Sequence, residues 1–137
     1  MVEFDPGTGM IINTIKLPGC NGAHGVMINP TVRYAYVACE NNARLAVIDL
    51  TANTQTATVT VGDGPDVLAI DPTRQRLYVA SESGDVDLFD ITTGPAAKIG
   101  SQHVSGDAHS VAVDPETHLV YVPLANVNGH PVLRVMH

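Results

Sequence analysis

Basic residues are scarce in this chain. Its 137 residues carry seven lysines and arginines against fourteen aspartates and glutamates, a formal charge of −7. Binding to phosphate backbones depends on clustered cations, and no basic stripe occurs here, so nucleic acid is not an expected partner. No apolar run approaches the roughly 18 residues that a bilayer-spanning helix needs. The opening residues, Met1-Val-Glu-Phe-Asp-Pro6, lack the basic and apolar regions of a secretory signal. The two cysteines, Cys20 and Cys39, are too few to define a disulfide framework. Apolar residues at helical spacing between caps are also missing, so helices are not expected.

What is present is a repeat. Three segments align without gaps, residues 24–38, 66–80 and 109–123. Their prolines Pro30, Pro72 and Pro115 stand 42 and 43 residues apart, and a tyrosine follows each six residues later: Tyr36, Tyr78 and Tyr121. A period of about 40–45 residues built from short strands is the signature of β-propeller blades. With 45% hydrophobic and 15% charged residues, the chain has enough apolar material for a packed core rather than a disordered segment.

Each repeat reads as four antiparallel strands. First strands fall at 26–28, 67–70 and 111–113, and second strands at 35–39, 77–81 and 120–124. Between them lies Asn29, Asp71 or Asp114 followed by proline. This is tight-turn chemistry, since proline presets φ and the Asx side chain bonds back to the backbone. Replacing Asp71 with Ala is expected to cost about 1 kcal/mol. Third strands are expected at 45–49, 86–90 and 132–136, and fourth strands at 56–61 and 97–104. The first strands are apolar on both faces, as strands enclosed by neighbouring blades should be. The fold class is therefore all-β, a β-propeller with about three blades present.

The ends do not make a full circle. Residues 1–17 read as an outer-strand remnant, 18–61 and 62–104 as complete blades, and 105–137 as a last blade lacking its outer strand. The strand at 10–17 is expected to pair beside 132–136, in the same chain or in a second copy. A piece of a larger propeller is the favoured reading. Made alone, the chain is expected to aggregate or to close a six-bladed ring as a homodimer, because terminal blades expose apolar faces and strand edges.

The Tyr-Val-Ala runs at 36–38 and 78–80, Val-Ile-Asp-Leu-Thr at 47–51 and Gly-Asp-Gly-Pro-Asp at 62–66 resemble the YVTN-type repeat proteins. That resemblance covers nearly the whole chain. It implies the C-terminal portion of a seven-bladed, exported propeller, periplasmic or secreted, in a family whose members mostly have no assigned activity. The absence of tryptophan sets the chain apart from ordinary WD repeats and tryptophan-docked quinoproteins. The calcium-binding acidic triad of gluconolactonase-type propellers has no residue-by-residue match here.

Candidate site residues follow from the repeat register. His24, Asp66 and His109 open the innermost strand of successive repeats, so they should form a ring at one mouth of the channel, opposite the Asx-Pro turns. Such a ring suits a ligand at the channel rim or a divalent metal, and equally suits hydrogen bonds to the blade-to-blade loops. Uninterrupted hairpin pairing sets His24 opposite Cys39, Asp66 opposite Ser81 and His109 opposite Leu124, which adds Cys39 and Ser81 to the rim. Cys20 and Cys39 are read as separate thiols, as a disulfide, or as part of a Cys/Cys/His metal site. Glu40 and Glu82 share one repeat position and read as solvated loop residues. His103, His118, His130 and His137 read as surface residues, and the repeating tyrosines as packing groups. No nucleophile elbow or phosphate-cradling loop is present.

The functional expectation is a non-enzymatic binding or protein-interaction scaffold without a cofactor. The alternatives are a lactonase-type hydrolase with a metal held by His24, Asp66 and His109, and a structural module of the cell envelope.

Overall fold

In the computed structural model, which describes residues 1–137, thirteen β-strands form four antiparallel sheets with no α-helix. Strands β1 (Val2–Phe4) and β2 (Ile11–Thr14) make a hairpin. The first blade holds β3 (Ala23–Asn29), β4 (Tyr34–Cys39), β5 (Arg44–Asp49) and β6 (Thr54–Thr60). The second holds β7 (Pro65–Asp71), β8 (Arg76–Ser81), β9 (Asp85–Asp90) and β10 (Ala97–His103). The third holds β11 (Ala112–Val113), β12 (Val120–Val127) and β13 (His130–Met136), with no fourth strand. The chain is thus a partial β-propeller of about three blades. The expected pairing of β2 with β13 of the same chain does not occur: β2 pairs only with β1, and β13 only with β12.

The Asx-Pro turns form as their chemistry dictates. Asn29 Oδ1 accepts from the Thr31 amide, Asp71 Oδ1 from the Thr73 and Arg74 amides, and Asp114 Oδ1 from the Glu116 amide. Each turn ends on a residue in the left-handed region, Arg33, Gln75 or His118, which lets the chain reverse within four residues. A second Asx turn recurs between third and fourth strands, where Asp5, Asp49 and Asp90 take up the amides of Gly7, Thr51 and Thr92. That repetition identifies β1–β2 as the outer half of a blade.

Alternation along the strands divides the core. Tyr36, Ala38, Leu45 and Val47 of the first blade meet Leu68, Leu77, Val79 and Phe89 of the second. Ala69, Ala80 and Val86 of the second blade meet Val111, Val120, Val122 and Leu124 of the third. The remaining face of the first blade, with Ala35, Val37, Ala46 and Ile48, is covered in part by Ile15 beside β2. Tyr36 and Tyr78 face the next blade. Tyr36 is fully buried and its hydroxyl donates to the Gly94 carbonyl at 2.6 Å.

Candidate functional site

The first strands of the blades begin at one mouth and run to the Asx-Pro turns at the other. His24 and Asp66 therefore stand on the same rim, on the inner strands of adjacent blades. Two local features bring them together. Both hairpins carry a register irregularity at their opening, between Ala23 and Val26 and between Pro65 and Leu68. Gly25 then lets the two backbones touch, since a Cβ there would lie 1.9 Å from the Asp66 carbonyl oxygen. As a result His24 Nδ1 sits 2.8 Å from Asp66 Oδ1 and 3.7 Å from Glu40 Oε2. The His24 side chain remains 56% exposed. With Nδ1 engaged by carboxylates, its Nε2 is the atom offered to a ligand.

His109 is not brought into this group. It precedes β11 in an irregular segment, and its Nδ1 faces Asp107 Oδ1 at 2.9 Å. The same register irregularities correct the expected pairing: Ala23, not His24, lies opposite Cys39, and Pro65, not Asp66, lies opposite Ser81. An extra residue in the inner strand shifts each partner by one. Cys39 and Ser81 are completely buried, so neither presents an atom to the rim. Cys39 is bonded to Cys20, with a Cα–Cα distance of 5.2 Å; separate thiols and a thiolate metal site are both ruled out by that bond.

The disulfide ties the loop entering β3 to the end of β4. The Glu40 amide bonds the Gly22 carbonyl, and Asn42 bonds both the Asn21 amide and the Gly19 carbonyl. Glu40 is thus part of a braced loop beside His24, not a freely solvated residue. Nowhere do three His, Cys, Asp or Glu side chains converge in a way that could hold a metal ion. The set His24, Asp66 and His109 does not fit a metal, because His109 is turned to its own neighbour.

Two further groups escaped the reading of the sequence. Asp87 on β9 is buried, accepts from the Gly62 amide at 2.8 Å and lies 2.6 Å from Lys98 Nζ on β10. Two residues 11 positions apart on paired strands gave no motif to find. His118, expected at the surface, is half-buried and places Nδ1 2.7 Å from Asp71 Oδ2 in the preceding blade. Burial raises the Asp71 pKa, but the Arg74 amide, His118 and the Thr73 amide together outweigh it and hold the carboxyl below the usual range. The available signal was register: His118 occupies the repeat position of Gln75, which itself accepts a 2.8 Å hydrogen bond from Asn29 Nδ2 across the first join.

No protein-family model matches the chain, and no curated protein matches it in sequence. Solved structures do resemble it. It is similar to the β-propeller domain of Cps50 (Swd1) from Myceliophteria thermophila, at 15% identity and TM-score 0.69, over 89% of this chain and 36% of that one. It is similar to a functionally unknown protein from Desulfotomaculum acetoxidans, at 15% identity and TM-score 0.69, over 99% of this chain and 53% of that one. It is also similar to a protein assigned as a 6-phosphogluconolactonase from Bacteroides uniformis, at 14% identity and TM-score 0.72, over 98% of this chain and 45% of that one. The chain spans about a third to a half of these structures. At such identities the likeness is one of fold: this chain has the architecture of part of a β-propeller.

Proposed function

We propose that the chain is part of a non-enzymatic binding scaffold whose ligand is held at the channel rim by His24, Asp66 and Glu40. The observation that carries this reading is the exposed His24 ring, fixed by Asp66 and Glu40 on a loop braced by the Cys20–Cys39 disulfide. A site assembled before its ligand arrives loses less freedom on binding. Asp66 and Glu40 give the rim a negative field that suits a cationic group, such as a lysine or arginine side chain of a peptide. The ligand would then be a basic segment of a protein partner.

Titration calorimetry with a short lysine- and arginine-containing peptide tests the idea. Binding that is weakened about tenfold by Asp66→Asn and by His24→Ala supports it. Equal affinity of both variants and the parent overturns it. The lactonase-type alternative draws only on fold likeness and has no three-ligand set at the rim, so it is the weaker reading.

An exported protein, periplasmic or secreted, is the setting that the disulfide favours, because reducing cytosol disfavours such bonds. The resemblance to YVTN-type proteins points the same way. Thiol labelling of the protein recovered from its native cells tests this directly. Two reactive thiols would overturn the assignment, and none would support it.

A further inference from the structure

Two Asn-Gly pairs occur in the chain, Asn21-Gly22 in the loop entering β3 and Asn128-Gly129 in the turn between β12 and β13. Asparagine before glycine is open to attack on itself. With no Cβ in the way, the glycine nitrogen can approach the asparagine side-chain carbonyl carbon. The two pairs differ in what holds that nitrogen. The Gly129 amide donates to Asn126 Oδ1 at 2.7 Å. The Gly22 amide donates to no acceptor, and the exposed Asn21 side chain makes no hydrogen bond. The bonds that brace this loop use other atoms. The Asn21 amide donates to Asn42 Oδ1, the Asn41 amide to the Asn21 carbonyl and the Glu40 amide to the Gly22 carbonyl.

The exposure of Asn21 belongs to its place in a blade. Asp63 and Gly64 hold the same repeat positions in the second blade, just as Asp66 matches His24. They make the same contacts, since the Ser83 amide donates to the Asp63 carbonyl and the Glu82 amide to the Gly64 carbonyl. Asp63 is exposed even though a complete four-stranded blade precedes it. Gly22 and Gly64 share the left-handed backbone, with φ of 66° and 63°, and a Cβ on Gly22 would lie 2.6 Å from Asn41 Nδ2. The fold therefore requires glycine here, and asparagine before it completes the reactive pair. The second blade also shows that an ordinary aspartate fits this place.

We infer that Asn21 is a site of spontaneous deamidation and backbone isomerisation, and that this reaction ages the His24 rim. The Gly22 amide gives its proton to water and its nitrogen bonds to Asn21 Cγ. The Cγ–Nδ2 bond breaks, and Nδ2 leaves as ammonia with a proton taken from water. Water then opens the resulting succinimide at either carbonyl. Opening at Cγ gives an ordinary aspartate, the residue that the second blade already carries. Opening at the main-chain carbonyl routes the backbone through Cγ and gives isoaspartate. Both products gain a carboxylate, but only isoaspartate lengthens the loop by one carbon. That carbon falls between Cys20, fixed by its disulfide, and the Gly22 carbonyl that takes the Glu40 amide. The two anchors cannot keep their present spacing, so Glu40 is released from its place beside His24.

Peptide mapping by mass spectrometry, with isoaspartyl methyltransferase labelling, tests this on the whole chain held in warm, mildly alkaline buffer. In the folded protein Asn21 should convert about five- to tenfold faster than Asn128, the bias that one hydrogen bond of ordinary strength supplies. The same chain unfolded in urea with its disulfide reduced should lose that preference, because both glycine amides are then free. Equal rates in the folded protein, or faster conversion at Asn128, overturn the inference. So does an Asn21 that stays intact while the unfolded chain converts. Hydrogen exchange at residues 40–42 should rise in the isoaspartate form and stay unchanged in Asn21→Asp, which adds the charge without the extra carbon. Unchanged exchange in the isoaspartate form overturns the release of Glu40. The effect on binding rests on reading the rim as a peptide site. There the isoaspartate form should bind the lysine- and arginine-containing peptide several times more weakly, and Asn21→Asp at least as well as the parent. Fresh protein that binds no peptide overturns the rim reading alone, since mapping and exchange judge the modification without it.

Discussion

The two joins between blades use one design with different materials. At the first, Tyr36, Phe89, Leu45 and Leu77 are fully buried, and the latch is a neutral pair, Asn29 with Gln75. At the second, alanines and valines dominate, and the latch is Asp71 with His118. A cleft of about 410 Å³ opens beside the second join, lined by residues that include Arg74, Tyr78, Leu88, Val120 and Met136. Large side chains fill the space between blades as it widens outward; small ones leave it open. The first join is therefore held mainly by packing, and the second depends more on its polar latch.

The sharpest way to break the first join is Gly25→Val. Its Cβ would collide with the Asp66 carbonyl, and relief requires the blades to part, at about 3 kcal/mol or more. Urea unfolding should show that loss, and hydrogen exchange should rise in β3 and β7 before β11 and β12. Removing the Cys20–Cys39 disulfide, which joins residues 19 apart, should cost about 3 kcal/mol by freeing the unfolded chain. Its effect on hydrogen exchange should be confined to the first blade and its rim loop.

At the second join, Asp71→Ala strips the acceptor from two turn amides and from His118. The structure makes this costlier than the turn alone implied, about 2–3 kcal/mol against about 1 for Asn29→Ala at the first join. Equal losses in urea unfolding would erase the distinction between the joins. Acid separates them further. The Asp71 pKa is depressed in the folded state. Its contribution is thus complete above the unfolded carboxylate value near 4 and is lost as pH falls through and below that value. Exchange in β11 and β12 should therefore rise in acid before exchange in β3 and β4. Asp71→Asn should remove that pH dependence. The smallest effect expected is from Tyr36→Phe, about 1 kcal/mol for one buried hydrogen bond.

Much of this fold is legible in the residues. The spacing of Pro30, Pro72 and Pro115 and the apolar runs around them specify the strands of the three blades and their order, because turn chemistry and strand alternation are local. The shared rim of His24 and Asp66 is legible for the same reason: equal repeat positions have equal places in a blade. Local rules also fixed the Asx-Pro turns and the opposite mouth on which they stand.

Tertiary structure decided the contacts that cross between strands and blades. One extra residue at each inner hairpin gave Cys39 and Ser81 the partners Ala23 and Pro65 in place of His24 and Asp66, and no count along the chain shows where a strand bulges. The distance between Cys20 and Cys39, the burial of Asp87 against Lys98 and the turning of His109 toward Asp107 rest on how sheets stack. His118 became a latch residue only because the blades pack at an angle that brings Asp71 over it. Repetition in sequence determines what each blade is; the packing of one blade on the next determines which of its polar groups meet.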